Sequence, residues 1–225
     1  MPIQSYLSRC GFSADAFSAD FYQQVTDFQQ QLATLTPAAE VKWQFRVPEL
    51  GEGGSCSLFG QLADEPYDLT PILGGQTDAN QQLLAKVTAI VQFYQVNSAS
   101  HWFGVYQRRH NPAGETVLVK LAYFGAESRA EFPLTAEFAA ISNNSTVGLS
   151  GQGRIINNVA AYLAQGGEYY TCDPKVQAEA CLPLVDANGD VLGIIDSEAF
   201  TQNLFDGKEL ALLIAVALTL PALLA

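Results

Sequence analysis

Asp186-Ala187-Asn188-Gly189-Asp190 stands between two apolar runs, Glu179 to Val185 and Val191 to Asp196. Asn-Gly adopts the left-handed turn conformations that a tight hairpin needs, and aliphatic runs on both sides suit strands. The chain is therefore committed to an antiparallel pair near its C-terminal end. A second hairpin is signalled where His101 to Gln107 and Thr116 to Phe124 flank the turn residues Asn111-Pro112-Ala113-Gly114. A sheet seeded by hairpins is antiparallel. The remaining segments decide what covers it.

Phe17, Phe21, Val25, Phe28 and Leu32 recur every three or four residues, which predicts a helix over residues 14–35 with Ser13 as its N-cap and Pro37 beyond its end. Val41 to Val47 alternates like a half-buried strand, followed by the glycine-rich Gly51 to Ser55. Asp78 is placed to cap a second helix running to about Tyr94. Arg129 to Leu134 reads as a third strand and Arg154 to Asn157 as a brief one. Ala136 to Leu149 is weakly helical through a Ser/Asn-rich middle, and a loop rich in Gly and Tyr leads to Cys172. Asp206 or Gly207 opens the final helix. The expected class is α+β: a central antiparallel sheet with helices on one face and connecting segments on the other. Composition changes near residue 75, which divides an N-terminal extension (1–75, helix and strand) from a domain over 76–225.

The final helix is apolar on every side from Leu210 to Leu220, with Thr219 and Pro221 interrupting it. That run is shorter than the roughly 20 residues a bilayer requires. A buried terminal helix follows, covered either by a partner chain or by the protein's own sheet. Eleven basic against 23 acidic side chains give a net charge of −12, which argues against nucleic acid as a partner. Arg108-Arg109-His110 is read as a solvated hairpin tip. Met1 to Leu35 has no secretory pattern, and Cys10, Cys56, Cys172 and Cys181 show no C-x-x-C spacing. The expectations are a cytoplasmic protein with free thiols, no metal and no cofactor.

Three acids stand out. Glu179 opens a strand that is otherwise apolar, and Asp196 and Glu198, two residues apart, share one face at the end of its hairpin partner. Acids converging in this way repel unless a cation lies between them. A ligand ammonium or a protein Lys or Arg would serve, whereas the alternative is a capping Asp196 with two solvated glutamates. Cys172 precedes Asp173-Pro174, and a reactive thiol there would need exposure and a lowered pKa. Trp102 and Tyr106 share a face of their strand, either as a pocket wall over a cation or as ordinary core aromatics. Cys181, in an apolar strand, is expected to be a buried small hydrophobe.

Together these residues resemble the GAF domain, and within it the free methionine-(R)-sulfoxide reductases. The family's W-x-G-x-Y strand matches Trp102, Gly104 and Tyr106. Its C-D motif, with a Glu seven residues after the Cys and a Pro-Leu four further on, matches Cys172, Asp173, Glu179, Pro183 and Leu184. Its hairpin ending matches Gly193, Ile194, Ile195, Asp196 and Glu198, with Glu in place of the second Asp. The likeness spans roughly residues 78 to 220. It implies that Glu179, Asp196 and Glu198 bind the amine of a free amino acid, that Trp102 and Tyr106 form the wall, and that Cys172 is a redox thiol. The family's other two cysteines precede the C-D motif, and residues 128–151 of this chain contain none. The leading expectation is thus a sensor-like GAF domain binding a small polar ligand of amino-acid type. The alternative is a thiol-dependent reductase of free methionine-(R)-sulfoxide, and a third reading is an interaction module that dimerises through its terminal helices.

Overall fold

A computed structural model of the chain describes residues 1–51, 57–167, 169 and 173–224. Cys56 and Cys172 lie outside the described residues. The first segment holds α1 (Ile3–Arg9), a 3-10 turn (Ala14–Ala16) and α2 (Ala19–Ala33). Four short strands follow: β1 (Gln44–Phe45), β2 (Pro48–Leu50), β3 (Ser57–Leu62) and β4 (Tyr67–Asp68). They pair as β1 with β4 and β2 with β3. Then come α3 (Thr70–Leu73), α4 (Asp78–Asn97), β5 (Trp102–His110), β6 (Thr116–Phe124) and β7 (Glu131–Pro133). The chain continues through α5 (Ala136–Ala139), α6 (Asn143–Ser150), β8 (Arg154–Ile156) and α7 (Val159–Ala164). It ends with β9 (Ala178–Val185), β10 (Val191–Ala199), α8 (Gly207–Thr219) and α9 (Pro221–Leu224).

Six strands form one antiparallel sheet in the order β7-β6-β5-β10-β9-β8. The two hairpins read from the sequence are its four central strands. Because side chains alternate across a strand, the sheet serves two cores. Phe103, Val105, Leu182, Leu184 and Ile195 face the helices α4 and α8, which lie against the sheet. Trp102, Tyr106, Cys181 and Ile194 face the opposite side, where β7 and α6 contribute Phe132 and Val147.

Several local expectations differ from the structure. Ser13 precedes only the 3-10 turn and makes no side-chain cap bond. The helix begins at Ala19, where the Ser18 hydroxyl accepts from the Phe21 N–H, and its buried stripe is Phe21, Val25, Phe28 and Leu32. Thr77, not Asp78, caps α4 by accepting from Asn80. Of the alternating run 41–47 only Gln44–Phe45 finds a strand partner. Ser142 starts a separate helix by accepting from Ser145, so residues 136–149 are two short helices rather than one. The expected loop after residue 157 contains α7, capped by Asn158.

Helix α8 accounts for its own composition. Residues Leu210 to Ala217 are all buried, with β9 of the sheet on one side and α2 of the same chain on the other. Tyr6 of α1 extends this cover, since its fully buried hydroxyl donates to the Pro183 carbonyl at 2.8 Å. A helix apolar all round is what a position between two layers demands.

Candidate functional site

Strand register brings the three acids together. Glu198 of β10 lies directly opposite Glu179 of β9 and, on its other side, opposite Trp102 of β5. Asp196 lies opposite Cys181 and Gly104. Residues paired across strands point to the same face, so Glu179, Asp196, Glu198, Cys181, Trp102 and Tyr106 share the side away from α8. Between this face and α6 lies a cavity of about 70 Å³. Trp102, Tyr106, Arg129, Phe132, Asn143, Asn144, Asp173, Glu179, Asp196 and Glu198 all line it.

The aromatic wall depends on a missing side chain. A Cβ at Gly104 would lie 2.4 Å from Trp102 Cη2 and 3.1 Å from Tyr106 Cε2, so both rings fold over the bare backbone between them. The Trp102 indole donates to the Ala126 carbonyl at 3.0 Å, and the Tyr106 hydroxyl to the Arg129 carbonyl at 3.3 Å. Both residues line the cavity. Gly104→Ala is expected to displace the indole at a cost of roughly 1–3 kcal/mol, as overpacked cores show. Thermal denaturation and tryptophan emission would both move; an unchanged spectrum and melting point would refute this account of the wall.

Asn144 Nδ2 donates to Asp196 Oδ2 at 3.1 Å, while Asp196 Oδ1 is buried with no hydrogen-bond partner among the described residues. Burial drives the Asp196 carboxyl well above its usual range, and Glu179 and Glu198 push it the same way. Glu179 is raised by burial too, opposed by hydrogen bonds from Tyr169 and Asn143 and by the charge of Arg154. Glu198 is pushed up to about 8 by burial and by Glu179 and Asp173. The site therefore gathers three carboxyls whose charge these interactions only partly compensate. Such a cluster binds a cation or a proton.

Cys181 sits on the same face but is fully buried, and burial followed by Asp196 and Glu179 holds its thiol well above the ordinary value. Cys10 is buried and pushed up to about 11. Neither is a ready thiolate. Of the residues singled out in the sequence, Trp102, Tyr106, Glu179, Asp196 and Glu198 meet in one cavity, and Cys172 lies outside the described residues. Sequence reasoning missed Asn143, Asn144, Arg129 and Tyr169. The one available signal was the Ser142-Asn143-Asn144-Ser145 run, a poor helical sequence whose side chains prefer to hydrogen-bond locally or to a site.

The sequence matches no protein-family model and no curated protein. Solved structures do resemble it. Type II free methionine-R-sulfoxide reductase from Thermoplasma acidophilum matches with a TM-score of 0.55 at 20% identity, over 65% of this chain and 95% of that one. The GAF domain of an Acinetobacter phosphoenolpyruvate-protein phosphotransferase matches with a TM-score of 0.51 at 8% identity, over 92% and 94%. The fold is that of a GAF domain. The reduced form of fRMsr of Staphylococcus aureus matches at 0.50 and 16% identity, over 65% of this chain and 93% of that one. In GAF terms, the acid cavity lies on the face of the sheet opposite the helical layer.

Proposed function

We propose that this GAF domain binds a small ligand of amino-acid type, in a sensor-like role, with its ammonium group among Glu179, Asp196 and Glu198. The observation that carries the reading is Asp196 Oδ1, a buried acceptor with no partner among the described residues and flanked by two further carboxyls. An ammonium supplies both the donors and the charge this cluster lacks. Trp102 and Tyr106 would lie against the rest of the ligand.

A second reading is thiol-dependent reduction of free methionine-(R)-sulfoxide. It draws support from Asp173, the residue after Cys172, which lines the same cavity. The sulfoxide oxygen would pass to the Cys172 sulfur, giving methionine and a sulfenic acid. An external dithiol would then restore the thiol, leaving as its disulfide with release of water. The buried state of Cys10 and Cys181 disfavours either as an internal resolving thiol, and Cys56, the third candidate, lies outside the described residues.

Thermal shift with methionine and with its (R)-sulfoxide tests the binding reading. A ligand at 100 times its Kd adds about 2.7 kcal/mol. Glu179→Gln is expected to abolish the shift, and an undiminished shift in that variant would refute the amine site. Turnover of the sulfoxide with a dithiol, lost in Cys172→Ser, would instead establish the enzyme.

A further inference from the structure

The acid cluster is wired to a residue outside its cavity. Arg154 of β8 borders a neighbouring cavity of about 290 Å³, together with Asn143 and Tyr162. Arg154 Nη1 donates to Asn143 Oδ1 at 2.6 Å, and Asn143 Nδ2 donates to Glu179 Oε1 at 3.2 Å. Arg154 Nη2 donates to the Tyr162 hydroxyl at 3.0 Å, and the guanidinium lies 6.0 Å from that ring's centroid.

The two ends of an amide differ little in shape, but chemistry settles this one. A guanidinium only donates, so the Asn143 atom facing Arg154 must be the carbonyl oxygen, and its NH₂ must face Glu179. The relay therefore has a fixed direction, from a permanent charge through a neutral amide to a carboxylate. Reversal would set the Asn143 oxygen against the Glu179 oxygens, which is tolerable only if the glutamate carries a proton.

We propose that Arg154 is a positioning residue that keeps Glu179 an acceptor, by holding the Asn143 amide in one orientation, and so makes the site select a cationic donor over a neutral ligand. The selectivity rests on the ammonium-site reading; the positioning stands on the contacts alone. Among the described residues, the groups facing Glu179 are Tyr169, Asn143 from α6, Arg154 from β8, Cys181 on its own strand, and Asp196 and Glu198 from β10. Tyr169, Asn143 and Arg154 favour its ionised form, and the neighbouring acids oppose it.

Arg154 could also act directly through its charge, and a double-mutant cycle separates the two routes. Carboxyl-carbon NMR titration, with Glu179 assigned through Glu179→Gln, reads the midpoint. Arg154→Gln and Asn143→Ala are each expected to move it upward, and the double variant to match Asn143→Ala alone. Additive shifts, or no shift in Arg154→Gln, would overturn the proposal. Tyr162→Phe frees one end of the guanidinium with little loss of volume and serves if Arg154→Gln does not fold. It is expected to give a smaller upward shift, and an unmoved midpoint would overturn the idea equally. If the midpoints shift as expected while methionine leaves the native melting temperature unchanged, the positioning role holds and the ammonium reading falls.

Discussion

Asp196→Asn is expected to raise the melting temperature of the unliganded protein while weakening its affinity for a cationic ligand by roughly 10- to 100-fold. The two effects share one cause. Asparagine's carbonyl can keep the bond that Asn144 now makes to Oδ2, and its NH₂ then occupies the place of the orphaned Oδ1. That NH₂ can donate to Glu179 or Glu198, doing internally what the ligand's ammonium is proposed to do. Removing one of three buried, mutually repelling acids should stabilise the free fold by about 1–3 kcal/mol. The gain should depend on pH with a defined sign. Glu198 has a folded pKa of about 8 against an ordinary 4.5, so the folded state holds more protons between those values. Stability from this group is complete below about pH 4.5 and is lost as pH rises through about 8. The advantage of Asp196→Asn should therefore shrink towards acid pH, where the native acids are protonated and their repulsion vanishes. Calorimetry at pH 5 and pH 8, with and without methionine, reads both effects. A variant less stable than the native protein at pH 8 would contradict the account of the cluster.

Deleting residues 1–36 is expected to leave a protein without a stable fold of its own. Phe21, Val25, Phe28 and Leu32 bury the stripe of α2 in the same core as α8. At about 1.5–3 kcal/mol for each such side chain, the loss is roughly 6–12 kcal/mol, as large as the total stability of a typical domain. The apolar face of α8 would also be uncovered, inviting aggregation. Val25→Asp offers a milder form of the same test, since Val25 is fully buried and a carboxylate there would lack compensation. Near-ultraviolet dichroism and size-exclusion chromatography report the outcome. A truncated protein that keeps the oligomeric state of the full chain and melts within a few degrees of it would show that α2 is dispensable.

Much of the sheet and the heart of the site were legible in residue order. Alternation and turn chemistry are local, so the two hairpins and the shared face of Asp196 and Glu198 follow from period-two geometry. The acid cluster needed one more step, the register of β9 against β10, which the short Asp186–Asp190 turn constrains. Helix starts were harder. Ser13 and Ser18 are equally good caps in isolation, and the choice falls to Ser18, where the buried stripe meets the core. The short strand β1 and helix α7 are likewise stabilised mainly by what they touch.

What residue order determined by itself is therefore the antiparallel α+β framework, the apolar character of α8 and the convergence of Glu179, Asp196 and Glu198. Each rests on interactions between residues close in sequence or joined by a short turn. The tertiary structure alone decided that α2 covers α8, and that Asn143, Asn144 and Arg154 address the acids. Asn144 reaches Asp196 across 52 residues of chain and Asn143 reaches Glu179 across 36. A side-chain hydrogen bond leaves no periodic trace in sequence. Only the packing of α6 over the sheet brings those groups within reach.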